Sequence, residues 1–235
     1  MLERKRILAV VPARSGSKGI PNKNMRRLKG VSLIGLAGQT LGKLSFIDAK
    51  VISTDSPEYG EEGRRYGLDV PFLRPAHLSS DEAGAVETIQ HALLSSERYY
   101  STNFDIVLII EPTSPMRTPE DIQQTIQRLI DTGGDSVVTV SPLSSKSHPQ
   151  KILKIENGRL HYFQESGKNL KGRQDLSETF FWRNGVCYAL TRACLMEQEA
   201  IFTENTVPEI ITHPVVNIDD PIDLEWADFL INRSI

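Results

Sequence analysis

The sequence predicts an α/β fold with a three-layer core, and three observations carry that expectation. Short apolar, β-branched runs recur: "ILAVV" at 7–11, "VIST" at 51–54, "FDIVLII" at 104–110 and "DSVVTV" at 135–140. Longer segments with helical patterning separate them, at 31–44, 57–66, 82–98 and 119–131. Strands alternating with helices imply right-handed crossovers and a mainly parallel sheet covered on both faces.

The elements follow in order. The first four strands and their helices account for the first 140 residues. Past them the pattern changes: "KILKIENGRLHYF" alternates apolar and polar residues on both sides of Asn157-Gly158, a two-residue turn signal that favours an antiparallel hairpin. The polar stretch "QESGKNLKGRQDLSE" then reads as a loop or arm. "NGVCYALT" and "EIITHPVVNID" read as further strands, and "PIDLEWADFLINR" as a closing helix with proline at its first position. A chain of 235 residues with this organisation is expected to form one domain, 1–235, with 142–182 as an insertion on the core.

Charge and composition narrow the partners. With 27 Lys and Arg against 30 Asp and Glu, the formal net charge is -3, so no general basic surface points to nucleic acid. Cys187 and Cys194 fall outside any CxxC spacing, which suits ordinary thiols in a reducing compartment. The basic start and apolar run at the N-terminus are too short for a signal peptide, and no segment approaches the ~20 apolar residues of a membrane span. A cytoplasmic location is the expectation.

Against this acidic background, "VVPARSGSKGIPNKN", residues 10–24, holds Arg14, Lys18 and Lys23 with Gly16 and Gly19 and no carboxylate. It follows the first strand, and ligands of open α/β sheets bind beyond the carboxyl ends of strands. Glycines allow close backbone approach and the cations suit a polyphosphate. The spacing matches neither a Walker loop nor a dinucleotide loop, so a phosphate loop and a solvated basic turn both remain open on composition alone.

Three further segments reach the same edge. In "STDSPEY", Ser56 reads as a helix N-cap before Pro57, which leaves Asp55 free. In "EPTSPMRTPEDI", the early prolines impose an extended exit and Thr118 caps the next helix, leaving Glu111, Thr113, Ser114 and Arg117 for a ligand. In "VNIDDPIDL", Asn217 and Asp219 would share one face of a strand, and their oxygens suit magnesium held together with substrate phosphates. Asp220 reads as the cap of the last helix and Asp223 as an acid of its first turn. The five histidines show no HExxH spacing, and no GxSxG elbow occurs, which argues against nucleophilic hydrolysis.

Taken in order, "PARSGSKGIPNKN", "VISTDS", "RPAHLSSD", "EPTSPMRTPEDI", "SVVTVSP", "RNGVCYAL" and "NIDDPIDLEWADFL" resemble the CMP-sialate synthetases, or acylneuraminate cytidylyltransferases, and their relatives on other nonulosonic acids. The SKGIPxKN element sets the resemblance apart from the Kdo cytidylyltransferases. It implies a Rossmann-like nucleotidyltransferase that joins CTP to a nine-carbon 2-keto acid sugar and releases pyrophosphate, with Mg2+ bridging the phosphates. By family position Arg14, Ser17, Lys18, Lys23, Asn24, Arg74 and Ser80 would line the CTP site, with Arg14, Lys23 and Asp219 catalytic. Asp219 and Asn217 would hold metal, and Asp219 also matches a residue that helps activate the sugar hydroxyl. Glu111, Lys151, Arg173, Gln174 and Tyr188 would serve the sugar. Lys151 also fits a hairpin surface charge, and Tyr188 a core aromatic.

The resemblance further implies that 142–182 is a dimerisation arm that reaches over a partner's active site, so that Lys151 or Arg173 act in trans within a homodimer. Two departures stand out. Asn217-Ile218-Asp219 replaces a frequent Asp-x-Asp, which removes one ligand charge and leaves the number of metals open. Glu111 replaces a frequent glutamine and can only accept hydrogen bonds when ionised, which points to a sugar with extra donors such as amino or acetamido groups. Legionaminate, pseudaminate and an amino-Kdo are therefore alternatives to N-acetylneuraminate. A nucleotide-binding regulatory protein without catalysis is an alternative of another class.

Overall fold

In β1, Ile7–Pro12, side chains alternate strictly between two cores. Ile7, Ala9 and Val11 join one buried cluster, while Leu8 and Val10 join another. The same division recurs in β5, Ile106–Ile109, where Ile106 and Leu108 face one layer and Val107 and Ile109 the other. A strand with a period of two and no polar residue must be covered on both faces, and that requirement produces three layers. The computed structural model describes residues 4–233 apart from 171, 173, 175 and 177.

The central sheet has six strands. Those besides β1 and β5 are β4, Ala49–Ser53; β6, Ser136–Pro142; β9, Phe181–Thr191; and β10, Thr206–Ile210. Their order is β10-β6-β9-β5-β1-β4. β1 pairs in parallel with β4 and β5, and β10 with β6. β9 runs antiparallel between β5 and β6. Two short strands, β2, Arg27–Leu28, and β3, Val31–Ser32, pair beside the sheet.

Helices cover the faces as the pattern predicts. α1, Leu33–Gly42, α2, Pro57–Arg65, and α4, Pro119–Thr132, pack on the first cluster. α3, Ala85–Tyr100, and the short α5, Arg192–Met196, pack on the second. Local chemistry fixes their starts: Ser32 and Ser56 accept the N–H of Gly35 and Tyr59, and Thr118 and Asp121 form a reciprocal capping box. A third cluster joins Ile20, Leu28 and Leu33 to Val216, Ile218 and Ala227, so the loop after β1 is stitched to the segment before α6, Pro221–Arg233.

The hairpin forms as predicted, from β7, Leu153–Glu156, and β8, Arg159–Tyr162. Asn157 and Gly158 both take positive φ, 53° and 72°, as a two-residue type I′ turn requires. Every residue of both strands is exposed.

One expectation needs correction. The segment 209–219 is not one strand: β10 ends at Ile210, and 211–219 runs without a ladder partner. Pro214 has no N–H to offer a neighbour, and the Ile218 N–H goes instead to the Thr113 carbonyl at 2.8 Å. Asp220 stands directly before α6, at the capping position expected of it. The Asp223 carboxylate reaches back to accept the N–H groups of Asp219 and Asp220, at 3.0 and 2.9 Å.

Candidate functional site

A cleft of about 750 Å³ opens at the carboxyl ends of β1 and β5. From the loop after β1 it takes Arg14, Ser17, Lys18, Gly19, Lys23 and Asn24. Glu111 and Thr113 follow β5, Arg183 and Tyr188 lie on β9, and Asn217 and Asp219 precede α6. Arg74, Ser80 and Asp81 close another side. The sequence-predicted residues Arg14, Ser17, Lys18, Lys23, Asn24, Arg74, Ser80, Glu111, Tyr188, Asn217 and Asp219 thus converge on one space.

The basic loop is held by acceptors that leave its cations lining the cleft. Asp55, expected to be free, accepts from Ser15 N–H at 2.9 Å and Ser15 Oγ at 2.7 Å. Burial opposes ionisation of Asp55, yet the Ser15 bonds and the Arg74 charge hold its carboxyl below the usual carboxylate range. Buried Asn24 donates to the Arg14 carbonyl at 3.1 Å. A Cβ at Gly19 would stand 2.8 Å from the Asp219 carbonyl oxygen, so the loop passes the acidic segment at a distance only glycine permits.

Each loop cation has a carboxylate. Arg14 Nη2 and Lys18 Nζ meet the two oxygens of Asp81 at 2.7 and 2.6 Å, and Arg14 Nη1 donates to the Ser80 carbonyl at 2.7 Å. Lys23 Nζ donates to Asp219 Oδ1 at 2.9 Å; the lysine is largely shielded and the aspartate 74% exposed. Arg74 is more deeply set, with Nε on Ser53 Oγ at 3.1 Å and Nη2 on the Ser53 carbonyl. Burial pulls its pKa down to about 10, with Asp55 opposing. Arg74 therefore braces the end of β4 as well as lining the cleft.

The opposite end is built around a break in β9. β6 and β9 pair regularly up to Val138↔Tyr188 and again from Val140↔Arg183, so Thr139 alone faces the four residues Asn184 to Cys187. Gly185 sits in this bulge at φ +69°, and a Cβ there would strike the Glu111 carboxylate and come within 2.8 Å of Ser114 Oγ. Arg183 and Tyr188 are five apart and would face opposite sides of a regular strand; the bulge brings both to the cleft. Burial raises the pKa of Glu111, although Arg117, Arg183 and Lys23 act against that shift.

Ser114 and Arg117, expected to be available to a ligand, are structural. Ser114 Oγ donates to the Asn184 carbonyl at 2.6 Å. Arg117 is buried; its Nε donates to the Val186 carbonyl at 2.9 Å and its Nη2 to the carbonyls of Glu111 and Gly185. They pin the turn after β5 to the bulge. Lys151 and Gln174 do not line the cleft of this chain, because both belong to the exposed excursion between β6 and β9. Arg173 lies outside the described residues.

Asn217 and Asp219 reach the cleft together although no strand carries them. Val216 and Ile218 are buried in the third cluster, and the intervening residues turn the other way. Asn217 Oδ1 is buried and has no hydrogen-bond partner. An orphaned amide oxygen beside a carboxylate fits a hard cation. Among the described residues no three His, Cys, Asp or Glu side chains converge to hold a metal alone, so such a cation would need oxygens from a substrate.

Sequence reasoning missed Asp81 and Arg183. Asp81 closes the quoted "RPAHLSSD", and Arg183 opens the quoted "RNGVCYAL". A charge directly before Asn-Gly inside an apolar strand was the signal for Arg183.

A family model described as "Cytidylyltransferase" matches residues 8–173. The CMP-N,N'-diacetyllegionaminic acid synthase of Legionella pneumophila is 33% identical over 94% of each chain. The post-translational flagellin modification protein B of Campylobacter coli is 28% identical over 97% of this chain and 96% of that one. The pseudaminic acid cytidylyltransferase of Campylobacter jejuni is 29% identical over 95% of each. In fold, the chain is similar to the structure of CMP:2-keto-3-deoxy-manno-octonic acid synthetase complexed with CTP, with a TM-score of 0.70 at 18% identity, covering 98% of this chain and all of that one. With this match the Rossmann-like arrangement expected from the sequence stands as observed, and the chain belongs to the cytidylyltransferase family, an enzyme of the nucleotidyltransferase kind.

Proposed function

We propose that the protein transfers CMP from CTP to the anomeric hydroxyl of a sialic-acid-like nonulosonic acid, and that the sugar is a diacetamido acid of the legionaminate type. The observation that carries this reading is the convergence of a cationic glycine loop, Glu111 and the Asn217–Asp219 pair on one cleft. Glu111 supports the choice of sugar. An ionised carboxylate favours substrate N–H donors, where a glutamine would both donate and accept. The 33% identity to a diacetyllegionaminic acid synthase points the same way.

In this reading Arg14, Lys18 and Lys23 bind the triphosphate, with Ser17, Asn24 and Ser80 around it. Phosphoryl transfer of this kind rests on positioning and on neutralising charge. The anomeric oxygen attacks the α-phosphorus as the bond to the bridging oxygen breaks and pyrophosphate leaves. Lys23 stands where charge builds on the departing phosphates, and the hydroxyl proton passes to the Asp219 carboxylate. Asp219 and Asn217 would hold Mg2+, which supplies charge neutralisation between the phosphates when bound. The sheet and its helices act as one domain, with 142–182 as an arm. The exposed apolar side chains Ile155, Leu160 and Phe163 on that arm support a homodimer, in which Lys151, Arg173 and Gln174 serve the neighbouring cleft. Buried free thiols at Cys187 and Cys194, and the absence of any described helix long and apolar enough to cross a membrane, are compatible with a cytoplasmic enzyme.

The test is pyrophosphate release from CTP and magnesium across N-acetylneuraminate, diacetyllegionaminate, pseudaminate and an amino-Kdo. Release is expected to be fastest with the diacetamido acid. CTP binding without release for any sugar would support a regulatory nucleotide-binding protein instead.

A further inference from the structure

A 2-keto acid sugar presents its carboxylate on the carbon that bears the reacting hydroxyl, so the cleft must offer that anion a cation close to the chemistry. Among the described residues of a single chain, five cationic side chains line the cleft: Arg14, Lys18, Lys23, Arg74 and Arg183. Four are engaged. Arg14 and Lys18 hold Asp81, Lys23 holds Asp219, and Arg74 is fixed to Ser53. The Arg183 side chain makes no hydrogen bond and no ion pair among the described residues. Its side chain is exposed to the cleft beside Glu111 and Tyr188, on both of which its charge acts.

We propose that Arg183 is the carboxylate receptor of the cleft and binds the C1 carboxylate of the sugar acid across from the phosphate loop. The inference rests on the reading of the substrate as a sugar acid. The construction of β9 supports it independently. The bulge at Asn184–Cys187 brings Arg183 to the side that Tyr188 faces, and Gly185 gives up its side chain to make that break fit against Glu111. A guanidinium presents two parallel donors that match a carboxylate, and a cation without a protein counter-ion is available to receive one. Arg183 also separates the two anionic groups of the substrates, since the triphosphate is drawn to the loop after β1 and the carboxylate to β9.

The experiment pairs the residue with the group it is said to bind. Pyrophosphate release is measured for wild type, Arg183→Ala and Arg183→Lys with the preferred sugar acid and with its C1 methyl ester. Charge-assisted bidentate contacts of this kind are strong, so wild type is expected to prefer the acid by about 50-fold in kcat/KM. In Arg183→Ala that preference falls to about 2-fold through a rise in the sugar KM, while the CTP KM stays within about 2-fold, as expected when one substrate contact is removed. Arg183→Lys keeps the charge but not the fork, and should retain part of the preference. An unchanged acid-to-ester preference in Arg183→Ala, or a loss that falls on the CTP KM, overturns the assignment of Arg183 alone. Silence of the wild type with every sugar acid overturns the substrate reading and Arg183 with it.

Discussion

At one end of the cleft the loop cations face carboxylates at 2.6 to 2.9 Å, while at the other a single arginine side chain stands without a partner among the described residues, beside the half-buried Glu111. The difference teaches how two anionic substrates can share one cleft. In the proposed function the end after β1 works by exchange: a phosphate would replace Asp81 or Asp219 as the counter-ion of cations already collected there. Exposed ion pairs of this type contribute little stability, so giving them up costs little. The end at β9, on the same proposal, would work by addition, because no carboxylate among the described residues pairs with the Arg183 side chain. Charge at the first end was visible in one continuous stretch, whereas charge at the second depends on how β9 meets β6.

Three substitutions sharpen or break this comparison. The largest effect is expected from Lys23→Ala, where loss of a group that stabilises charge in the transition state should lower kcat by about 10² to 10³-fold. Steady-state pyrophosphate release measures it. A kcat within a few-fold of wild type would remove Lys23 from the chemistry and leave it as a partner of Asp219.

Glu111→Gln comes next, with a loss of about 10-fold in kcat/KM for a sugar bearing extra N–H donors, the scale of one charged hydrogen bond. Burial raises the Glu111 pKa, so the group takes up its proton above the ordinary carboxylate range as pH falls. Wild-type kcat/KM for the sugar should therefore fall with decreasing pH earlier than an exposed carboxylate would dictate, and the glutamine variant should lack that acid limb. Identical pH profiles for the two proteins would show that Glu111 does not touch the sugar.

The smallest effect is expected from Asp81→Asn. Removal of the competing carboxylate should lower the CTP KM by about 3-fold at low ionic strength, an advantage that fades as salt screens exposed charges. The sugar KM should stay as it is. A higher CTP KM would mean that Asp81 aims Arg14 and Lys18 and does not compete for them.

What the sequence made legible was what sits close together along the chain. The basic loop after β1, the Ser56 and Thr118 caps, the Asn157-Gly158 turn and the closing helix each rest on neighbours within a few residues. The pairing of Asn217 with Asp219 was also legible, since alternation of buried and open positions survives without a ladder. The extent of that segment as a strand was not, because Thr113, 105 residues earlier, takes the Ile218 N–H. Arg117 looked like a ligand group because the carbonyls that bury it, at Gly185 and Val186, arrive from 68 and 69 residues further on. Arg183 stayed hidden for the same reason: only the register of β9 against β6 shows which way it turns.

The bulge in β9 has a consequence for how this site can change. Side chains on either flank can be exchanged one at a time, and the cleft would keep its shape. Insertion or deletion of a residue between Asn184 and Tyr188 would turn Arg183 over relative to Tyr188 and unseat the carbonyls that Arg117 holds. New sugar preferences in this scaffold are therefore open to point substitution and closed to changes of length along this stretch, a rule that libraries aimed at altered substrates can follow directly.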